Sequence, residues 1–186
     1  MDKQELILKA ALKLFVEFGF HGTPTSKIAK EAGVSNGTLF HYFKTKDELV
    51  VALYIYIKSN LANCISGERP EDETIKATFK REFIATLYWA KDNPMEFRFT
   101  QQFMSSPYFT MISSEEIQKH TQHFFDLMQE GIDARVLKPL PMNLLFTLLS
   151  SHISGINQYL ITSNLDATKE HELIQTSFDL IWDMIT

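Results

Sequence analysis

Residues 36–49 read NGTLFHYFKTKDEL, a combination that a helix built only to fill a core would not contain. At helical spacing, Leu39 and Phe43 share one side, whereas Gly37, Thr38 and His41 are left on the other. Two lysines, Lys44 and Lys46, lie within the three residues after Phe43. The stretch therefore predicts a short helix that packs through one side and contacts another molecule through its opposite side.

The residues before this stretch predict a second helix and a tight turn. Thr23 is expected to cap that helix, with Pro24 at its first position, where a missing N–H costs nothing. Gly33 supplies the turn, and Ser35 caps the next helix. Helix, turn and helix together occupy residues 24–43, a spacing typical of helix-turn-helix proteins that bind DNA.

Lys46 directly follows Thr45, which is predicted to form a capping box with Glu48, and so occupies the first position of a fourth helix. The helix dipole disfavours a cation there, whereas free backbone N–H groups favour a phosphate. We interpret Lys46 as a phosphate contact; the alternative is a solvated lysine. Gly37 weakens a helix by about 1 kcal/mol relative to Ala, which indicates close approach of a partner such as the DNA backbone.

Composition is that of a globular chain: 186 residues, 45% hydrophobic and 22% charged. The net charge is −5, but residues 1–50 carry seven lysines against six acids, so the excess of acids lies in the remainder. A single cysteine, Cys64, excludes an internal disulfide and a thiolate metal site. We see no signal peptide and no apolar run of about 18 residues, and expect a cytoplasmic protein without membrane contact.

Helical spacing of apolar residues continues to the end of the chain without a convincing strand. Asn93-Pro94 and Ser106-Pro107 interrupt it, and Ser113 with Glu116 forms another capping box. The pattern predicts an all-α fold of nine helices. We place a helix-turn-helix DNA-binding domain of three helices at 1–46 and a six-helix domain for ligand binding and dimerisation at 47–186.

The segment AKEAGVSNGTLFHYFKTKDELV, residues 29–50, resembles the DNA-binding domain of the TetR (tetracycline repressor) family of bacterial regulators. The resemblance implies a homodimer that binds a palindromic operator in double-stranded DNA and leaves it when a small molecule binds the rear domain. It implies phosphate contacts by Thr25, Ser35, His41, Tyr42 and Lys46, and base contacts by Asn36, Gly37, Thr38 and Phe40. Asn36 stands where relatives often carry Lys or Arg, and Phe40 replaces a common Tyr, so the operator sequence is expected to differ.

The rear domain is rich in aromatic side chains and methionines, which predicts either an ordinary core or an apolar cavity for an effector. The expected pocket residues are Phe79, Phe83, Met95, Phe99, Phe103, Met104, Phe125, Met128 and His152. Small residues in the eighth helix allow close helix packing, and with the ninth helix it resembles the family's dimer interface; an internal core helix is the alternative. The expected interface residues are Leu149, Ile153, Gly155, Ile156, Phe178 and Trp182.

Enzymatic functions have little support. His120 and His123 could share a helix face, but no carboxylate lies at a spacing typical of a di-metal site, and a solvated face explains them better. No phosphate-binding loop, nucleophile elbow or zinc motif occurs, so we expect no catalytic residues, metal or cofactor. The chain is predicted to be a DNA-binding regulator, with a regulator that responds to a protein partner, or an all-α enzyme without a motif, as alternatives.

Overall fold

The computed structural model describes residues 2–65, 67, 69–112 and 114–186, with side chains throughout these ranges except at 114–121. Within them the chain forms nine α-helices, one short 3-10 helix and no strand, which confirms the predicted all-α class. The helices are α1 (Lys3–Phe18), α2 (Thr25–Glu31), α3 (Asn36–Tyr42), α4 (Lys46–Ile65), α5 (Ile75–Asp92), α6 (Pro94–Met104), the 3-10 helix (Pro107–Met111), α7 (Ser114–Asp133), α8 (Met142–Thr162) and α9 (Ala167–Ile185). The capping box predicted at Ser113 and Glu116 lies outside the described residues.

The contacts divide the chain into two compact units. The first comprises Met1–Asn60 and Asn93–Ile117, and the second comprises Leu61–Asp92 and Gln118–Thr186. The proposed functional boundary between residues 46 and 47 is a separate matter and stays a prediction.

In the first unit, α1 packs on α2, α3 and α6. Phe15 of α1 is fully buried, and its ring lies 5.4 Å from the ring of Phe20 and 6.3 Å from that of Phe99 on α6. Tyr54 of α4 stacks on Phe103 of α6 with ring centroids 4.2 Å apart. Helix α6 is therefore part of the same core as the helix-turn-helix.

The turn between α2 and α3 forms as predicted. Gly33 has φ +67°, a backbone conformation that favours glycine, and the Val34 N–H donates to the carbonyl of Ala29 at 2.9 Å. Ser35 caps α3, since the backbone N–H of Thr38 donates to its Oγ at 3.0 Å. The sequence signals for this turn and this cap are local, which is why the structure confirms both.

The expected role of Thr23 as a helix cap is wrong. Helix α2 begins at Thr25, and its N-cap residue is Pro24. The hydroxyl of Thr23 is buried within hydrogen-bond distance of two carbonyl oxygens at the end of α1, those of Leu14 (3.1 Å) and Gly19 (2.9 Å). Because the Thr23 hydroxyl donates to these carbonyl oxygens, it stabilises the link between α1 and α2 and does not cap the start of α2.

In the second unit, α5, α8 and α9 pack against one another in pairs. Its buried core includes Phe79, Phe83, Leu87, Met128, Leu145, Leu149, Ile174, Phe178, Ile181 and Trp182. The rings of Phe178 and Trp182 stack with centroids 5.7 Å apart. Much of the aromatic content of the rear half is therefore ordinary core.

Helix α4 is the one helix among the described residues that is long and apolar enough to cross a membrane by length and composition. The helix carries Lys46, Asp47, Glu48 and Lys58, so it is not the uninterrupted apolar run that the sequence was expected to lack. Its apolar side chains at Leu49, Leu53, Ile57 and Leu61 are buried within the chain, which accounts for its composition.

Candidate functional site

The outer side of α3 carries the residues that were predicted to face DNA. Leu39 and Phe43 are buried and fix the helix to the core. The residues left exposed or partly exposed are Asn36, Gly37, Thr38, Phe40, His41 and Tyr42. Phe40 keeps 41% of its surface exposed, so its ring is available to a thymine methyl group or a sugar.

Gly37 has no internal reason to be a glycine. A Cβ built at this position would meet only the Oγ of Ser35, at 3.7 Å, an ordinary contact distance. The chain would therefore accommodate alanine, which is the better helix former. This open space beside an exposed backbone supports close approach of an external molecule.

Ser35 and Thr38 are joined side chain to side chain. Their hydroxyl oxygens lie 3.0 Å apart, and the Ser35 oxygen also accepts from the Thr38 backbone. These bonds hold both side chains at the start of α3 before any ligand arrives. A side chain held in this way loses less conformational entropy when it binds.

Lysines beside α3 are not committed to ion pairs. In the described part of the chain neither Lys44 nor Lys46 pairs with a carboxylate, whereas Lys13 pairs with Glu31 at 2.6 Å. The nearby carboxylate of Glu48 accepts from the backbone N–H of Lys44 at 2.8 Å, and the Glu48 N–H donates to Thr45 Oγ1 at 3.0 Å. This confirms the capping box in a shifted form, and it leaves the two ammonium groups for phosphates.

Thr25 is the first residue of α2 and is partly exposed. Its hydroxyl makes no hydrogen bond with the other described residues. Thr25 at the start of α2 and Lys46 at the start of α4 thus flank α3 in sequence with free polar groups.

The residues predicted to form an effector pocket belong to two different units. Met95, Phe99, Phe103 and Met104 lie in the first, where Phe99 and Phe103 are fully buried and Met95 is exposed. The second unit contains Phe79, Phe83, Phe125, Met128 and His152. His152 already has a hydrogen-bond partner within that unit, since its Nε2 lies 2.9 Å from the carbonyl oxygen of Ser177.

A cavity of about 40 Å³ lies inside the second unit. Its apolar lining includes Phe79, Phe83, Phe124, Leu149, Phe178 and Trp182. Two predicted pocket residues, Phe79 and Phe83, are therefore at a cavity, and Glu82 lines it beside them.

Residues expected at a dimer interface divide into buried and accessible ones. Leu149, Phe178 and Trp182 are buried in the chain's own core and line the cavity. Ile153 and Ile156 are partly exposed, and Gly155 is exposed with nothing within 4 Å of a Cβ built on it. The large exposed apolar side chains on α8 and α9 are instead Leu144, Tyr159, Ile161, Leu180 and Met184.

The contact between Glu82 and His123 was not predicted from the sequence. Glu82 is 4% exposed, and its Oε1 lies 2.8 Å from Nε2 of His123, a residue interpreted above as simply solvated. The side chain of His120 lies outside the described residues. The available signal was an acid three residues after Phe79 on the apolar face of α5, but its partner is 41 residues away.

Comparison with known proteins agrees with this architecture. The family model described as "Bacterial regulatory proteins, tetR family" matches residues 7–53, and the model described as "Tetracyclin repressor-like, C-terminal domain" matches residues 55–186. The HTH-type transcriptional regulator YhgD of Bacillus subtilis is 26% identical over 161 residues, which are 84% of this chain and 83% of the relative.

Two further proteins are similar. The crystal structure of a tetR family transcription regulator from Shewanella sp. PV-4 superposes with a TM-score of 0.91 at 28% identity, covering 100% of this chain and 98% of that one. The fatty acid metabolism regulator protein of Bacillus subtilis is 38% identical over 81 residues, 44% of this chain and 40% of the relative. The chain belongs to the TetR family of bacterial regulatory proteins and is a DNA-binding transcriptional regulator, not an enzyme.

Proposed function

We propose that this regulator is a repressor that binds a palindromic operator as a homodimer and leaves it when a small, largely apolar effector binds. The observation that carries the DNA-binding part is the exposed outer side of α3, which Lys44 and Lys46 follow without making an ion pair within the described residues. Because operator DNA lies in the cytoplasm of a bacterium, the protein acts there.

Base contacts come from Asn36, Gly37, Thr38 and Phe40 of α3. Asn36 suits adenine, because its amide both accepts from and donates to the adenine edge, and Phe40 suits a thymine methyl group. Thr38 and the open backbone at Gly37 lie against neighbouring base edges. Phosphate contacts come from Thr25, Ser35, His41, Tyr42 and Lys46, and these fix the position of the helix without reading sequence.

The homodimer forms through α8 and α9. Support comes from the exposed apolar side chains on these helices, of which Leu180 is 63% and Ile161 64% exposed. Gly155, with open space at its Cβ, suits close approach of a second chain. Ile153 and Ile156 stay in the proposed interface, and the buried Leu149, Phe178 and Trp182 support it from behind.

Effector binding is supported by the apolar cavity of the second unit. Apolar walls with few polar groups are typical of small-molecule sites. Phe125, Met128 and His152 belong to the same unit and stay proposed pocket residues. The residues predicted from the first unit, Met95, Phe99, Phe103 and Met104, stay a separate prediction.

Selection of bound duplexes from a random DNA pool, with the full chain as bait, tests this function. The expected product is a palindrome whose half-site centres lie about 10 base pairs or a multiple apart, since two recognition helices of a dimer enter successive major grooves. A thermal-shift screen of apolar compounds then tests the effector. Recovery of no enriched sequence contradicts the DNA-binding proposal, and an enriched asymmetric site contradicts the dimer.

A further inference from the structure

One residue that lines the cavity of the second unit, Glu82, has a buried carboxylate oxygen without a hydrogen-bond partner among the described residues. Glu82, on α5, is 4% exposed. Its Oε1 lies 2.8 Å from His123 Nε2, where the imidazole donates and the carboxylate accepts. Its other oxygen, Oε2, is fully buried and has no hydrogen-bond partner among the described residues.

Among the described residues, no other polar group that lines the cavity meets this need. Thr86 also lines the cavity, but its hydroxyl donates to the backbone carbonyl of Glu82 at 2.7 Å. The remaining lining is apolar, with the rings of Phe79, Phe83 and Phe124 on one part of it. A buried acceptor without a donor is unfavourable. A molecule that brings a donor into this cavity therefore gains the hydrogen bond to Oε2 that no described residue makes.

We propose that Glu82 is the polar anchor of the effector site and that it selects a small apolar amine, bound as its ammonium form through Oε2. The proposal deepens the effector part of the proposed function and rests on it. An ammonium supplies both the missing donor and an opposite charge, and hydrogen bonds between charged groups are stronger than neutral ones. An alcohol supplies the donor without the charge, and a carboxylate supplies neither and meets a like charge.

A comparison of head groups on one tail tests this without any mutation. The full chain is titrated with n-butylamine, 1-butanol and butyrate, and binding is followed by tryptophan fluorescence, to which Trp182 at the cavity and Trp89 both contribute. We expect the amine to bind at least about tenfold more tightly than the other two, a difference that corresponds to about 1.4 kcal/mol. Its binding is also expected to raise the melting temperature, since it binds only the folded chain.

Two matched variants assign the effect to one carboxylate. Glu82→Gln keeps the shape of the side chain and removes its charge, and it is expected to abolish the preference for the amine. Glu172→Gln removes an exposed acid from α9 and is expected to keep the preference. Equal binding of the three compounds, no binding of the amine, or a preference that survives in Glu82→Gln would each overturn the proposal.

Operator binding measured in parallel separates this proposal from the proposed function. If the chain binds its selected palindrome and another class of compound releases it, the choice of an amine fails and the regulator with an effector stands. If no DNA is bound, the proposed function fails whatever the amine does. Amine binding through Glu82 that leaves operator affinity unchanged contradicts the assignment of this cavity to the effector.

Discussion

Gly37 lacks a side chain at a point of α3 where its own chain leaves room for one. At Gly131, by contrast, a Cβ would lie 2.7 Å from the side chain of Leu137, so packing inside the unit requires the glycine. Gly155 also leaves room for a side chain, since a Cβ built on it has no heavy atom within 4 Å. These two helix glycines without an internal reason lie on the two surfaces proposed to contact other molecules, DNA and a second chain.

Replacing Gly37 by Ala is expected to stabilise the chain and weaken operator binding. The gain in stability is about 0.5–1 kcal/mol, because alanine is the better helix former and its methyl group fits. Operator affinity falls because the methyl group enters the space needed by DNA. Urea unfolding and gel-shift titration measure the two effects. As a control, Gly131→Ala is expected to lower stability; tight operator binding by Gly37→Ala would remove the argument for close approach.

Replacing Lys46 or Asn36 by Ala is expected to change DNA binding in different ways. Lys46→Ala weakens binding to all duplexes alike and reduces the salt dependence by about one unit per lost phosphate contact. Asn36→Ala relaxes sequence preference at one base position, at a cost of about 1–3 kcal/mol per half-site if the contact is bidentate. Fluorescence anisotropy against matched and mismatched operators over a range of salt separates them. A changed preference in Lys46→Ala with an intact salt slope contradicts its phosphate role.

At the scale of elements, the segment leading into α5 is held by one carboxylate. Glu73 accepts from Arg81 through both oxygens, at 3.1 Å each, and from the hydroxyl of Thr78 at 3.0 Å. Arg69 also donates to the Glu73 carbonyl, at 3.0 Å, and pairs with Glu130 of α7 at 2.6 Å. The hydrogen bonds from Arg81 lower the pKa of Glu73 below its ordinary value.

This lowered pKa predicts a stability that is lost in acid. A carboxyl whose pKa is lower in the folded state stabilises the fold above its unfolded pKa, and the effect disappears as pH falls through the folded value. Glu73→Gln is therefore expected to be less stable than the parent near pH 7, with the difference shrinking below about pH 4. Urea unfolding from about pH 7 to about pH 3 checks this, with Glu172→Gln as a control. A difference independent of pH would show that the carboxylate charge is not the cause.

At the scale of the whole molecule, the chain must bind DNA although its net charge is −5. Residues 1–50 have a net charge of +1, so the acidic remainder is kept in a different part of the sequence. With so few cations, a single chain neutralises few phosphates, and two linked half-sites are needed for tight binding. Operator affinity is therefore tied to the proposed dimer.

Leu180→Asp is expected to separate the dimer without unfolding the chain, because this side chain is 63% exposed on α9. Gly155→Leu should act in the same way, since a larger side chain fits the single chain but blocks close approach. Operator affinity then falls by about 100-fold or more, because the second half-site no longer binds as a linked partner. Light scattering gives the mass, and Met111→Asp, an exposed position on the 3-10 helix, is the control. An unchanged dimer in both variants places the interface elsewhere.

The sequence by itself determined the features that depend on neighbours a few residues away. The all-α class, the cap at Ser35, the turn at Gly33 and the capping residues Thr45 and Glu48 follow from local spacing and local hydrogen bonds. The orientation of α3, with Leu39 buried beneath an exposed outer side, follows from helical periodicity in the same way.

Only the tertiary structure decided which distant residues meet. The residues next to Thr23 predicted a cap. Its hydrogen bond to the carbonyl of Leu14, nine residues earlier, is not a pattern that those neighbours show. Phe178 and Trp182 were predicted at an interface from the family resemblance, and only the tertiary structure shows that their own chain buries both side chains. Glu82 and His123 are 41 residues apart, and α6 packs on α1 across an even longer separation. Contacts of this kind depend on how helices fold back on one another, which no local spacing encodes.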